Sequence, residues 1–185
     1  SVAGPATTII DGEGVRTAIS MHYSVQVEGG NYIGAGYSSS TKVIGFTITD
    51  GDDDSPLVEI EGPVYTSSSS NRVPWNPVFE NCRFINSTLE PSLNEYNTNP
   101  YLSVISIKRA SPAFDGCTFR NLKKTNDGDT YNNAVRFVAP ILMVGNEDRN
   151  NNDAPADSVV YRPKFKNSVI AGNSNELSSE TDSDG

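Results

Sequence analysis

Along the chain, apolar residues come in short clusters and never in long amphipathic arrays. TTII (7–10), KVIGFTI (42–48), LVEIEG (57–62), LSVISI (102–107) and AVRFVAPILMV (134–144) alternate with polar residues or run apolar for only a few positions. β-Branched and aromatic residues suit the pleated surface of a strand. Period-two alternation turns one face of that strand toward a core. Nowhere do apolar residues recur at i, i+3, i+4 and i+7 through three helical turns. Between the clusters lie runs such as TSSSSNR (66–72) and NEDRNNNDAPADS (146–158), built from residues that favour turns. The pattern predicts strands and loops throughout.

The strands repeat. PVFENCRFINS (77–87), PAFDGCTFRNL (112–122) and PKFKNSVIAGN (163–173) align without gaps. Each opens on Pro, places Phe two residues later (Phe79, Phe114, Phe165) and a small residue three further on (Cys82, Cys117, Ser168). Phe84, Phe119 or Ile170 follows two residues after that, and KVIGFTITDG (42–51) is a weaker relative. If Asn81 occupies a corner, strand alternation turns Phe79, Cys82 and Phe84 inward and Glu80 and Arg83 outward. The same reading buries Phe114, Cys117 and Phe119 and leaves Asp115 and Thr118 outside. Upstream of the three segments lie LVEIEG, LSVISI and AVRFVAP, joined to them by connections of very different length. A constant strand pair with variable connectors is the mark of a solenoid, whose windings stack and whose insertions leave on one side. Like residues then sit on like residues, in a column of Phe79, Phe114 and Phe165 buried by successive windings and a Cys–Cys–Ser column. A β-sandwich of similar hairpins is the alternative, but the segments lack the two-residue Asn-Gly or Asp-Gly turns of paired strands.

These residues, TTIIDGEG (7–14), KVIGFTITDG and the repeated P-x-F-x-x-C-x-F-x-N, resemble the right-handed parallel β-helix repeats of secreted bacterial surface proteins. They are similar to the pectate-lyase-like superfamily and to polymorphic outer-membrane protein repeats, over roughly residues 5–173. The resemblance implies an all-β fold, a right-handed single-stranded parallel β-helix. Ser1 in place of Met and the absence of a preceding cap read as an uncapped part of a longer helix or as a stacking subunit. The expected organisation is β-helix windings over 1–175, with inserted loops at 64–76, 88–100, 123–133 and 146–162, and an acidic flexible tail or linker at 176–185.

Composition narrows the function. The net charge is −9, with no basic cluster to neutralise phosphates, which argues against nucleic acid. No apolar run approaches the ~18 residues of a membrane span. One His and two Cys cannot complete the usual zinc ligand sets without carboxylates. Cys82 and Cys117 match neither redox nor zinc spacing and are expected as reduced thiols packed like small hydrophobes. His22 lacks an accompanying nucleophile motif and is expected at a surface or edge. Trp75 is expected to fold over apolar surface beneath its own loop rather than to offer a sugar platform. Asn86-Ser87-Thr88 is a glycosylation sequon. In VRTAISMHYSVQVEGGNYIGAGYSSST (15–41), the pattern allows two strands around an inserted Gly-rich turn.

Carboxylates are the candidates for chemistry. Asp50, Asp52, Asp53 and Asp54 close a strand and form a candidate calcium loop, hard oxygen ligands being sufficient. A solvated turn is the plainer reading. Glu147, Asp148, Asp153 and Asp157 lie in an Asn-rich insertion. Lys108, Arg109, Arg136 and Lys164 could supply the base of a lyase step only where they share a face with carboxylates. No catalytic residue is assigned, and no cofactor beyond the calcium candidate. The expectation is a non-catalytic extracellular or cell-surface structural or adhesion module, a rigid rod contacting neighbouring windings or copies of itself end to end. The alternative is a carbohydrate-active β-helix, either a calcium-assisted polysaccharide lyase, a glycoside hydrolase or a carbohydrate-binding module.

Overall fold

The repeat makes each winding of the chain lay down strands at fixed places. The computed structural model describes Gly4 and residues 7–22, 24–28, 31–35, 37–62, 75–90, 103–127, 141–144 and 162–178. Its strands are β1 (Ile9–Asp11), β2 (Ile19–His22), β3 (Ser24–Glu28), β4 (Asn31–Ala35), β5 (Lys42–Ile44), β6 (Thr47–Thr49), β7 (Val58–Glu61) and β8 (Val78–Glu80). They continue with β9 (Arg83–Leu89), β10 (Ile105–Lys108), β11 (Ala113–Asp115), β12 (Thr118–Asp127), β13 (Ile141–Val144), β14 (Lys164–Lys166), β15 (Val169–Ala171) and β16 (Ser174–Ser178). Three parallel sheets result: sheet I in the order β5-β8-β11-β14, sheet II in the order β1-β6-β9-β12-β15 with β16 also on β12, and sheet III in the order β2-β7-β10-β13. From β5 to β15 the chain visits I, II and III in strict rotation, and β16 stays on sheet II. This is an all-β parallel solenoid.

The expected columns are present. Phe114 pairs in register with Phe79 and with Phe165, and the rings stack at 5.1 Å and 5.0 Å between centroids. That spacing is close to the ~4.8 Å between neighbouring strands. Val43 extends the column by one winding. Sheet II contributes Ile10, Ile48, Phe84, Phe119 and Ile170 in matching register, with Phe84 and Phe119 stacked at 4.8 Å. The two columns meet edge to face, Phe79 on Phe84 and Phe114 on Phe119, the arrangement ring quadrupoles favour. Phe79, Phe84, Phe114 and Phe119 are buried, but Phe165 is 37% exposed. The expectation that all three rings of the first column are buried is corrected there. A ring on the last described winding is covered from one side only.

Cys82 and Cys117 are free and fully buried. Each thiol donates to a carbonyl of the preceding winding, Cys82 Sγ to Val43 O at 3.3 Å and Cys117 Sγ to Phe79 O at 3.4 Å. Ser168 Oγ makes the equivalent bond to Phe114 O at 3.2 Å. The neighbouring Cys117 thiol lowers that of Cys82, against the opposing effect of burial. The same contact, with burial, pushes Cys117 up. Because Ser168 already fills this place with the same donor geometry, Cys117→Ser is expected to fold with less than about 1 kcal/mol lost, measured by urea denaturation.

Corners explain part of the Asn content. Gly45, Asn81, Gly116 and Asn167, between sheets I and II, all have positive φ, as do Asp50, Asn86, Asn121 and Gly172 on sheet II. Gly, Asn and Asp tolerate this left-handed conformation best. The second row is cross-linked where Asn121 Nδ2 donates to Asn86 Oδ1 at 3.0 Å. Asn81 thus occupies the corner anticipated for it.

Other boundaries differ from expectation. Residues 15–41 hold β2 and an antiparallel β3–β4 hairpin, so part of the Gly-rich stretch is itself strand. The third member of the upstream set is Ile141–Val144, paired with β10, while 134–140 lie outside the described residues. β12 runs to Asp127 and β16 to Ser178, so paired strand reaches into stretches assigned above to a loop and to the tail. Among the described residues no helix is long and apolar enough to cross a membrane.

The extension of β12 buries Lys124, 3% exposed, and burial lowers its amine to about 8 from 10.5. Between those values the unfolded chain holds a proton that the folded chain has lost. Stability therefore rises with pH across that window, by up to about 1.4 kcal/mol per pH unit. Denaturation curves from pH 7 to 10.5 are expected to show this rise, and Lys124→Met to flatten it.

Candidate functional site

The densest constellation of charged side chains lies on the outer face of sheet III. Val58 and Ile60 of β7 point into the core, so Glu59 and Glu61 point out. Parallel register sets Ser20, Glu59 and Ser106 in one row and His22, Glu61 and Lys108 in the next. His22 Nε2 is 3.1 Å from Glu59 Oε2, and its Nδ1 is 3.5 Å from Glu61 Oε2. Lys108 Nζ lies 3.6 Å from Glu59 Oε1. Arg109 takes positive φ at the corner after β10, donates Nε–H to Gly62 O at 3.1 Å and pairs its guanidinium with Glu61. Exposure falls from the edge inward: the His22 side chain is 49% exposed, Glu61 29%, Glu59 18% and Lys108 7%. Ser106 Oγ, in the Glu59 row, is buried without a hydrogen-bond partner.

This satisfies the condition set for the bases. Lys108 and Arg109 share a face with carboxylates, whereas Lys164 lies on sheet I and Arg136 falls outside the described residues. The sequence reading missed Glu59 and Glu61. The signal was the outward alternation of LVEIEG, but nothing local says which winding lies beside it. Chemically, each carboxylate faces a cation, and every pair joins one winding to another. A lyase base must reach a substrate proton with a free lone pair. Here the Lys108 ammonium is shielded and held by Glu59.

The asymmetry of buried pairs makes this testable. Glu59→Ala leaves the Lys108 ammonium buried without its carboxylate and is expected to cost about 3 kcal/mol or more. Lys108→Met, which removes the charge and keeps the apolar stem, is expected to cost less than half of that. Urea denaturation at neutral pH separates the two.

The remaining candidates are dispersed. Asp50 is a left-handed corner whose carbonyl accepts Gly14 N–H. Asp52 N–H donates to Arg16 O, Asp52 Oδ1 accepts Asp54 N–H at 3.2 Å, and Asp53 O accepts Glu90 N–H. The DGDDD run thus ties neighbouring windings together through its backbone, with Asp53 and Asp54 exposed. Among the described residues no three His, Cys, Asp or Glu side chains are grouped to hold a metal ion. Glu147, Asp148, Asp153 and Asp157 lie outside the described residues. His22 sits on β2, the edge strand of sheet III. Trp75 is buried, 4.8 Å from Tyr37 in an edge-to-face contact, and offers no exposed ring to a sugar. Asn86 is exposed at its corner, while Ser87 is buried and accepts Gly51 N–H. Comparison of the chain with protein-family models, curated proteins and solved structures finds no match.

Proposed function

We propose that the chain is a non-catalytic structural or adhesion module, a rigid β-helical rod acting outside the cell or at its surface. One observation carries this reading: the charged cluster on the outer face of sheet III, Glu59, Glu61, Lys108 and Arg109, is engaged in holding windings together. The sheet III pairs do this, and so do Lys42 with Glu80 and Lys166 with Asp115 on sheet I. Charges balanced in this way give no focused field to draw in an acidic substrate. The finer fold assignment belongs to the same proposal. One chain supplies successive windings, parallel crossovers are right-handed in about 98% of cases, and the repeat resembles the pectate-lyase-like superfamily. The acidic, Asn-, Ser- and Thr-rich composition supports an extracellular location.

A carbohydrate-active β-helix is the second reading, favoured by the shared face of Glu59, Glu61, Lys108 and Arg109. A polysaccharide would be its partner, and calcium at Asp50, Asp52, Asp53 and Asp54 its aid. Incubation with uronate polymers, with and without calcium, decides between the two. The rod reading expects no chain cleavage. Cleavage that disappears in Lys108→Met or in Asp52→Ala would replace it with the second reading.

A further inference from the structure

The exposed large hydrophobic side chains among the described residues lie at the two ends of the solenoid. Ile9, Val15 and Ile44 are 58%, 68% and 38% exposed at one end; Phe165, Val169 and Ile170 are 37%, 55% and 54% exposed at the other. Within sheet II the contrast is sharp. The outward row that begins at Ile9 passes through Thr47, Arg83 and Thr118 and finishes at Val169. Internal windings place polar residues there, and only the end windings place aliphatic ones. The inward row likewise finishes in aliphatic residues, Ile10 and Ile170. β1 and β15 are the edge strands of this sheet, with the row of backbone donors and acceptors that an edge presents.

Charge adds a second complementarity. Residues 162–171 carry Arg162, Lys164 and Lys166 and no acid, Lys166 lying 3.7 Å from Asp115, whereas the β1 end carries Asp11 and Glu13, the latter paired with Arg16. We propose that the β15 end of one copy docks on the β1 end of a second copy, continuing sheet II in register. Val169 then lies beside Ile9 of the second copy and Ile170 over its Ile10, as in the rows inside the chain. Such a contact joins different surfaces and does not close on itself, so it propagates into a filament. The inference rests on the rod reading, for which it names the partner.

Sedimentation of the full chain over a concentration series tests it. The apparent mass is expected at least to double toward the high end. Ile9→Asp and Val169→Asp change exposed positions, keep the thermal unfolding of the parent and are each expected to stay monomeric. Mixed in equal amounts they are expected to stop at dimers, because each retains one intact end. A parent chain that is monomeric throughout overturns the proposal, as does association that survives both substitutions, or a mixture that grows beyond dimers. A monomeric parent without polysaccharide cleavage leaves the rod reading standing, so the two failures are distinguishable.

Discussion

Replacing Phe114 by Ala is expected to lower the unfolding free energy by about 4 kcal/mol, a large share of the 5–15 kcal/mol typical of a domain. The ring stacks on Phe79 and Phe165 and meets Phe84 and Phe119 edge-on, at centroid distances of 5.0–5.9 Å. It is 1% exposed. Truncation removes the transfer free energy of the ring and opens a void that stacked strands, fixed by hydrogen bonds at their spacing, cannot collapse to fill. Phe165→Ala is the internal control. That ring occupies the same column but is 37% exposed, so its loss is expected to cost about half as much. Equal shifts in the urea midpoint for the two variants would contradict a column that is buried by its windings.

Gly62→Ala is expected to be comparably damaging, at about 3 kcal/mol or more, for a reason unrelated to core volume. Gly62 follows β7, donates its N–H to Lys108 O at 2.9 Å and lies under Arg109. A Cβ there would stand 1.9 Å from the Arg109 carbonyl oxygen and 2.8 Å from its carbonyl carbon. Both are backbone atoms, so no rotamer change relieves the overlap. The windings must separate locally, carrying Arg109 away from Glu61 and from Gly62 O. Gly14→Ala separates steric from conformational cost. Its φ is +66°, with nothing within 4 Å of the added carbon, so it is expected to lose only the ~1–2 kcal/mol of a left-handed non-glycine residue. If Gly62→Ala proves no worse than Gly14→Ala, the close approach of the two windings is wrong.

The contrast between these two substitutions marks what could be read from the chain and what could not. The Phe114 column was legible, because Pro-x-Phe-x-x-Cys-x-Phe recurs without gaps and strand alternation fixes which members face inward. Cys82 and Cys117 followed from the same frame, and so did the corner at Asn81. The approach of Gly62 to Arg109 was not legible, nor was the pairing of Glu59 with Lys108. Those contacts join residues 47 and 49 positions apart across a connector whose length differs from one winding to the next. Only the stacking register, set by hydrogen bonds between windings, brings them together. Asn residues were read as loop formers from composition, and several turned out to be corners within paired strand. The local preference for left-handed φ is the same in both places, and only the neighbouring winding tells them apart. The exposure of Phe165 was hidden for a further reason, since its sequence context is that of the buried members and only its place in the stack differs.

The left-handed corners also bear on how the molecule could vary in size. Asn81 and Gly116 occupy equivalent places, each handing the chain from sheet I to the small residue that precedes the next strand. A chain joined from Asn81 directly to Cys117 would meet an identical splice site and keep both aromatic rows in phase. Losing or duplicating one such unit shortens or lengthens the body by a single strand spacing, ~4.8 Å, without disturbing its cross-section. Reach is therefore a quantity this architecture can adjust in uniform steps by recombination, independently of whatever its loops display.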